Sequence, residues 1–256
     1  MSDQQTQSGE RIRLFLTQPT DCGYLPNRQS RNLVCDPQFH YDKLTHTVLS
    51  QQGFRRSGSF MYRPQCSGCN ACIPMRVRVR DFTPNRSDRR CIKANQNLDV
   101  IPRPASFVAE HFSLYSQYLK WRHPDGNMQE HDAEAYADFF ISDWADTVLY
   151  EFRQGQTLLA VAVTDQLNDG LSAMYCFYDH RYPKRSLGTY AILWQLEKAK
   201  QSGLPWLYLG YWIDGCKKMQ YKERFQPAEY FINNSWCEQF GSTTIDVANR
   251  NQVPIK

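Results

Sequence analysis

A paired arginine and three evenly spaced thiols stand close together in the first third of the chain. Arg55 and Arg56 sit between turn formers in Gly53-Phe54-Arg55-Arg56-Ser57-Gly58, and Cys66, Cys69 and Cys72 follow, each separated from the next by two residues. Guanidinium groups hold carboxylates and phosphates bidentately. Thiols at this spacing suit a soft metal such as zinc or an iron–sulfur cluster. Three on one stretch need a distant fourth ligand, for which Cys22 and Cys35 stand upstream. The competing reading is a set of reduced, partly buried thiols. Cys91, Cys176, Cys216 and Cys237 are isolated and read as packing residues.

Two further constellations lie downstream. Arg185-Ser186-Leu187-Gly188-Thr189-Tyr190 is a turn leading into a helix, where backbone N–H groups can cradle an anion. Acetyltransferases carry (Gln/Arg)-x-x-Gly-x-(Gly/Ala) at such a turn. Here Arg185 and Gly188 match, while Tyr190 replaces the last small residue and is expected to crowd the pyrophosphate of an acyl-CoA. The block from Tyr208 to Phe225 puts aromatic rings at a strand end and Lys217, Lys218, Lys222 and Arg224 after it. Rings beside cations suit single-stranded nucleic acid, and a core strand with a solvated helix face explains the same residues.

The elements that must position these groups follow from periodicity. Residues 11–100 read as short extended pieces, with Arg76-Val77-Arg78-Val79-Arg80 alternating as a strand with one cationic face. Ile101-Pro102-Arg103-Pro104 reads as a linker. Helices are predicted from Ser106 toward Lys120 and from Asp132 to Ser142. Strands follow at Thr147–Arg153, Thr157–Thr164 and Leu171–Tyr178, then a helix at Thr189–Gln201, a strand at Trp206–Ile213, a short basic helix at Cys216–Phe225 and a last strand at Glu229–Trp236. The order β-β-β-α-β-α-β is similar to the GCN5-related N-acetyltransferase fold. The expected class is α+β, a mixed sheet flanked by helices preceded by a smaller Arg/Cys-rich N-terminal domain. The expected divisions are a disordered tail at 1–10, the Arg/Cys-rich domain at 11–104 and the acyltransferase-like domain at 105–256.

Charge sharpens the division. Residues 1–104 hold 16 Lys and Arg against 8 Asp and Glu, a balance of +8, and the rest holds 14 against 18, a balance of −4. An arginine-rich half points to a polyanionic partner or to a solvated basic face. A hydrophobic content of 41% with 22% charged residues is that of a globular protein, and no apolar run reaches the length of a membrane span. Met1 to Glu10 lacks an apolar leader, so the expected compartment is the cytoplasm, the nine cysteines are read as reduced, and no membrane partner is expected.

Several of these motifs recur in order in one family. Cys22-Gly23-Tyr24-Leu25-Pro26, Gly53 to Gly58, Tyr62-Arg63-Pro64, Cys69 to Cys72 and Tyr208 to Phe225 resemble the aminoacyl-tRNA–protein transferases over about residues 11–240, closest to the bacterial branch that transfers leucine. The resemblance implies transfer of an aminoacyl group from charged tRNA, leucyl-tRNA first, to the α-amine of proteins beginning with Asp or Glu, which marks them for N-degron-dependent degradation. An arginyl donor and an acyl-CoA-dependent N-acyltransferase are the alternatives. Eukaryotic relatives carry a cysteine where this chain has Leu25, and an adjacent pair where it has Cys69 and Cys72. No cofactor is therefore expected, with Cys22, Cys66, Cys69 and Cys72 as the weak metal candidates. Arg55, Arg56, Arg76 and Arg78 are the candidates for the acidic N-terminus. Arg185, Gly188, Lys217 and Lys218 are those for tRNA, and Tyr178, Asp179 and Tyr211 those for orienting the amine.

Overall fold

The computed structural model describes residues 11–122 and 132–238, so the tail expected at 1–10 lies outside the described residues. The chain begins with strands β1 (Leu14–Leu16), β2 (Thr20–Asp21), β3 (Gln29–Ser30) and β4 (Asn32–Cys35). Helix α1 (Lys43–Gln51), β5 (Arg55–Ser57), β6 (Phe60–Pro64), β7 (Cys72–Arg78), α2 (Arg86–Asn95) and β8 (Asp99–Pro104) follow. After them come α3 (Ala109–Arg122), α4 (Ala133–Phe140), β9 (Thr147–Gln154), β10 (Thr157–Gln166) and β11 (Gly170–Tyr178). The chain continues with α5 (Leu187–Gln201), β12 (Trp206–Ile213), α6 (Lys217–Gln220), a 3₁₀ turn (Tyr221–Arg224), β13 (Ala228–Ile232) and β14 (Ser235–Glu238).

An eight-stranded mixed sheet, ordered β14-β13-β7-β12-β11-β10-β9-β8, organises the molecule. Apolar residues of α5, among them Ile192, Leu193 and Leu196, cover one face with Val77, Leu207 and Leu209. On the other face α3 and α4 bring Tyr115, Tyr136 and Phe140 onto Leu149, Val161 and Phe177. Tyr136 and Phe140 meet because residues four apart share a helix face, and Tyr115 stands edge-on to both at 5.3 and 5.2 Å. Among the described residues no helix is long and apolar enough to cross a membrane.

The division expected at residue 104 does not separate the sheet. β7 lies between β12 and β13, paired antiparallel to both, and β8 closes the opposite edge on β9. What stands apart from the large sheet is a four-stranded one, β1-β4-β6-β5, with the small β2-β3 ribbon. The presumed linker is β8 itself. Its prolines, Pro102 and Pro104, fall two apart on an edge strand, where a missing N–H on the outward side costs no ladder bond.

Other local readings change as well. The first hundred residues contain two helices, and α2 starts with a reciprocal cap. Asn85 accepts from the N–H of Ser87 and Asp88, while Asp88 accepts from Asn85. The last strand is a hairpin, because Asn233 and Asn234 both take positive φ (52° and 59°) and turn the chain. The basic helix after β12 is one turn of α-helix continued as 3₁₀. The β9-β10-β11-α5-β12 order stands as read from the periodicity.

Candidate functional site

β11 and β12 run parallel and pair over three residues only, Gly170–Ser172 against Trp206–Tyr208. Past that point the ladder between them stops, and their C-terminal halves open a crevice at the carboxyl ends of the strands. Arg55 reaches across it from β5. Its Nη2 donates to the carbonyl of Met174 on β11. Its guanidinium lies against Gly210 of β12, where a Cβ would stand 2.5 Å from Nη1. Gly210 has φ +69° at a register shift between β12 and β7, so both its conformation and its missing side chain serve this approach. Tyr62, Tyr24, Tyr211 and Tyr221 surround the guanidinium, and among the described residues no carboxylate pairs with it. Burial opposes its charge, and the surrounding phenol oxygens outweigh that and raise its pKa.

Arg56 goes the other way, because neighbouring strand residues point to opposite faces. It is 2% exposed and grips Asp165 with two parallel bonds, Nε to Oδ2 at 2.9 Å and Nη2 to Oδ1 at 2.7 Å. Nη1 donates to the Gly58 carbonyl at 2.8 Å, and Thr147 donates to Asp165 at 2.7 Å. A guanidinium so committed is a core fixture, which removes Arg56 from the substrate-binding set. His46 stands 3.9 Å from the same Asp165, and burial pushes it down to about 4.

Arg76 and Arg78 are removed by the same logic. Arg76 is sandwiched between Trp206 (3.6 Å) and Trp236 (4.2 Å) and bonds Glu229 through Nε and Nη2 at 2.9 and 2.6 Å. Arg78 pairs with Glu229, Glu238 and Asp81. Both sit opposite the N-terminal half of β12, away from the crevice. The cationic face of β7 exists to bind its own strand neighbours.

Of the three residues expected to orient the amine, two are also engaged. Tyr211 is buried, with its hydroxyl near the carbonyls of Gly53 and Tyr62 (3.2 and 3.1 Å), which ties β12 to the smaller sheet. Asp179 forms two-pronged bonds with Arg181, whose guanidinium holds the carboxyl below the usual range. Tyr178 alone faces the crevice, half-buried, beside Tyr118 (4.9 Å) and Trp121 (6.1 Å).

At the start of α5 the expectation divides. Gly188 is needed because a Cβ there would lie 2.9 Å from the Tyr178 ring, so the glycine admits an aromatic ring over the helix start. Arg185 bonds the carbonyl of Ala94 (3.0 Å) and the side chains of Asn97 (3.1 Å) and Gln154 (2.9 Å), which anchors α2. Tyr190 points into the core against Phe152, 5.5 Å away, and does not crowd the helix start. Lys217 and Lys218 are exposed on α6.

The thiols of the N-terminal half gather around Cys72. Cys72 has Cys66, Cys22, Cys69 and Cys216 as electrostatic neighbours, and burial first, then those thiols, pushes it up to about 12. Cys22 and Cys66 instead accept backbone N–H groups, from Leu25 at 3.5 Å and Arg31 at 3.4 Å. Among the described residues no three His, Cys, Asp or Glu side chains are arranged to hold a metal.

Several groups in the crevice escaped the sequence reading. Arg122 at the end of α3 lies beside Tyr118, Tyr175, Tyr178 and Tyr221, and Tyr24 joins them from the N-terminal segment. Tyr24 and Tyr221 are 39% and 46% exposed, which leaves their rings open to a flat partner. Lys222, grouped by sequence with a solvated helix face, is buried at 4% exposure and donates to the Tyr211 carbonyl at 2.5 Å. The turn from α-helix to 3₁₀ between Gln220 and Tyr221 swings it inward, a change that charge patterning does not signal.

Known proteins share this chain's pattern over most of its length. Residues 20–90 match the family described as arginine-tRNA-protein transferase, N terminus, and residues 110–232 match its C terminus. An aspartate/glutamate leucyltransferase from Alcanivorax borkumensis is 50% identical over 89% of this chain and 94% of its own length. Those of Thiobacillus denitrificans and Pseudomonas aeruginosa are 47% and 46% identical over 89% and 88% of this chain, and over 95% and 96% of theirs. Among solved structures, L-PGS from Bacillus licheniformis aligns over 56% of this chain and 47% of that one, with a TM-score of 0.41 and 9% identity.

Proposed function

The chain belongs to the arginine-tRNA-protein transferase family and is a transferase, and from that premise we propose that it moves a leucyl group from leucyl-tRNA to the α-amine of proteins beginning with Asp or Glu. The observation that carries the reading is Arg55. It is a guanidinium without an ion-pair partner among the described residues, lying across the gap between β11 and β12. An enclosed cation left without a counterion favours an anionic ligand, and an Asp or Glu side chain supplies one. The tyrosine-lined mouth, with Arg122 beside it, suits the unpaired 3′ end of a tRNA, whose bases stack on rings while its phosphates meet cations.

The chemistry asks little covalent help of the protein. An aminoacyl ester is already activated, and an α-amine with pKa near 8 is partly neutral at pH 7. Attack of the amine nitrogen on the ester carbonyl forms the peptide bond and releases the tRNA hydroxyl, with one proton passing from nitrogen to solvent or to the leaving oxygen. Cys176, the thiol beside the crevice, is pushed up to about 12 by burial, which argues against a thiolate nucleophile. The crevice then acts by alignment, bringing amine and ester within reach in one orientation. In the cell the product would be an N-terminal leucine that commits the acceptor to N-degron-dependent degradation in the cytoplasm.

The test is direct. The protein is incubated with labelled leucyl-tRNA, arginyl-tRNA or acetyl-CoA and with peptides beginning with Asp, Glu, Lys or Arg. Leucyl transfer to the Asp and Glu peptides is expected. Transfer from acetyl-CoA alone, or none from any donor, would overturn the proposal.

A further inference from the structure

Two basic side chains converge on the Gly210-Tyr211 segment of β12. Arg55 rests against Gly210, and Lys222 donates to the carbonyl of Tyr211. Lys222 is 4% exposed and has, among the described residues, one hydrogen-bond partner for its three donor positions. Neither side chain has a carboxylate partner among the described residues. Among the described residues both fully buried arginines do have one, Arg56 of β5 in Asp165 and Arg76 of β7 in Glu229. Those two guanidinium groups are neutralised within the fold, whereas Arg55 and Lys222 bond only backbone carbonyls.

We infer that Lys222 is the second arm of the acceptor site: with Arg55 it receives the side-chain carboxylate of the acceptor's first residue, and it takes up one proton from solvent as that carboxylate enters. The inference rests on the acceptor reading above and deepens it. Burial of an ammonium without a counterion is costly, so the empty site favours the neutral amine of Lys222. The groups facing it point the same way. Arg55 of β5 opposes its charge, whereas burial pushes the Cys72 thiol of β7 up, so that it supplies no standing charge, and Cys216, ahead of α6, is the other group facing it. Burial and Arg55 together hold its pKa well below the ordinary lysine range. An arriving carboxylate reverses that balance, and the amine becomes an ammonium paired to it. Such a site rejects Asn and Gln twice over, because neither neutralises Arg55 and neither draws the proton.

The experiment measures proton uptake. Binding of an Asp-starting peptide and of its Asn-starting counterpart is followed by calorimetry at pH 7 in two buffers of different ionisation enthalpy, with uncharged tRNA present. The Asn peptide corrects for any proton exchanged by the peptide's own α-amine. The Asp peptide is expected to take up about one proton more than the Asn peptide, and Lys222→Met is expected to abolish that difference and to reduce Asp-over-Asn discrimination about tenfold or more. Equal uptake by the two peptides in the unaltered protein would overturn the inference without any variant, as would uptake that persists in a folded Lys222→Met protein. Leucyl transfer to Asp peptides without the extra proton would leave the proposed function standing and remove only Lys222. Failure of the Asp peptide to bind or to accept leucine would overturn both.

Discussion

Arg55 and Gly210 meet because one of them has no side chain: a Cβ on Gly210 would lie 2.5 Å from Nη1 and 2.9 Å from Cζ of Arg55. Gly210→Ala therefore pushes the guanidinium off the floor of the crevice. It also places a Cβ at φ +69°, a conformation that costs about 1 to 3 kcal/mol for such residues. The expected outcome is a folded protein whose kcat/KM for an Asp-starting acceptor falls at least about tenfold, or about 1.4 kcal/mol. Steady-state kinetics alongside circular dichroism checks it, and unaltered kcat/KM would show that the position of Arg55 is irrelevant to turnover.

The adjacent arginines should separate cleanly. Arg56→Ala strands Asp165 in the core, a loss of about 3 to 5 kcal/mol that lowers Tm by roughly 10 °C or more. Arg55→Ala removes no ion pair among the described residues and should leave Tm near that of the unaltered protein while raising KM for Asp and Glu peptides. Thermal melts and acceptor titrations on both variants decide the matter. The assignment is wrong if Arg55→Ala melts early and Arg56→Ala is impaired only in KM.

Lys222 should cost stability in the free protein. Its folded pKa lies below the unfolded value of about 10.4, so the unfolded chain binds more protons at neutral pH and stability rises with pH toward that value. Lys222→Met is expected to raise Tm by several degrees at pH 7, with the gain shrinking as pH approaches about 10. A variant less stable than the parent at every pH would mean that the ammonium contributes to the fold.

Acid sensitivity should begin at His46. Burial, with Arg56 nearby, pushes it down to about 4 although Asp165 pulls the other way. Protons then bind the unfolded chain more strongly, so this contribution is present above about pH 6.5 and is lost as pH falls toward about 4, up to about 3 kcal/mol. Urea unfolding of the parent and of His46→Asn at several pH values from 4 to 7 tests it. The variant should lack the slope over that window, whereas the steeper loss below about 4.5, where Glu151 is held down to about 2 by Arg153 and His111 against the effect of burial, should remain.

The thiols should behave as thiols. Cys72, pushed up to about 12, is expected to alkylate far more slowly at pH 7.5 than the exposed Cys237. Elemental analysis of protein purified anaerobically should find far less than one zinc or iron per chain. Stoichiometric metal that is lost in Cys72→Ser would reverse this reading.

Much of the architecture was legible because it rests on local patterns. The alternation in Thr147–Arg153 and Thr157–Thr164, the 3.6-residue period of Ile192, Leu193 and Leu196, and the motifs that carry the family resemblance are all properties of neighbouring residues. Where the reading failed, the deciding contact lay far along the chain. Nothing near Pro102 or Pro104 says that they will edge a sheet on β9, and nothing near Val77 says that β7 will be inserted between β12 and β13. The period-two rule does place Arg55 and Arg56 on opposite faces, but not which face holds Asp165, which is 109 residues away.

The sequence by itself determined the family, the order of the strands around α5 and the residues from which a site could be made, because these are written in types and spacings. Only the tertiary structure decided which cations were spent. Asp165, Glu229 and Glu238 neutralise Arg56, Arg76 and Arg78, while Arg55 and Lys222 reach the Gly210-Tyr211 segment with no carboxylate beside them among the described residues. A charge becomes available to a substrate when the fold gives it no counterion, and that pairing is settled by three-dimensional proximity.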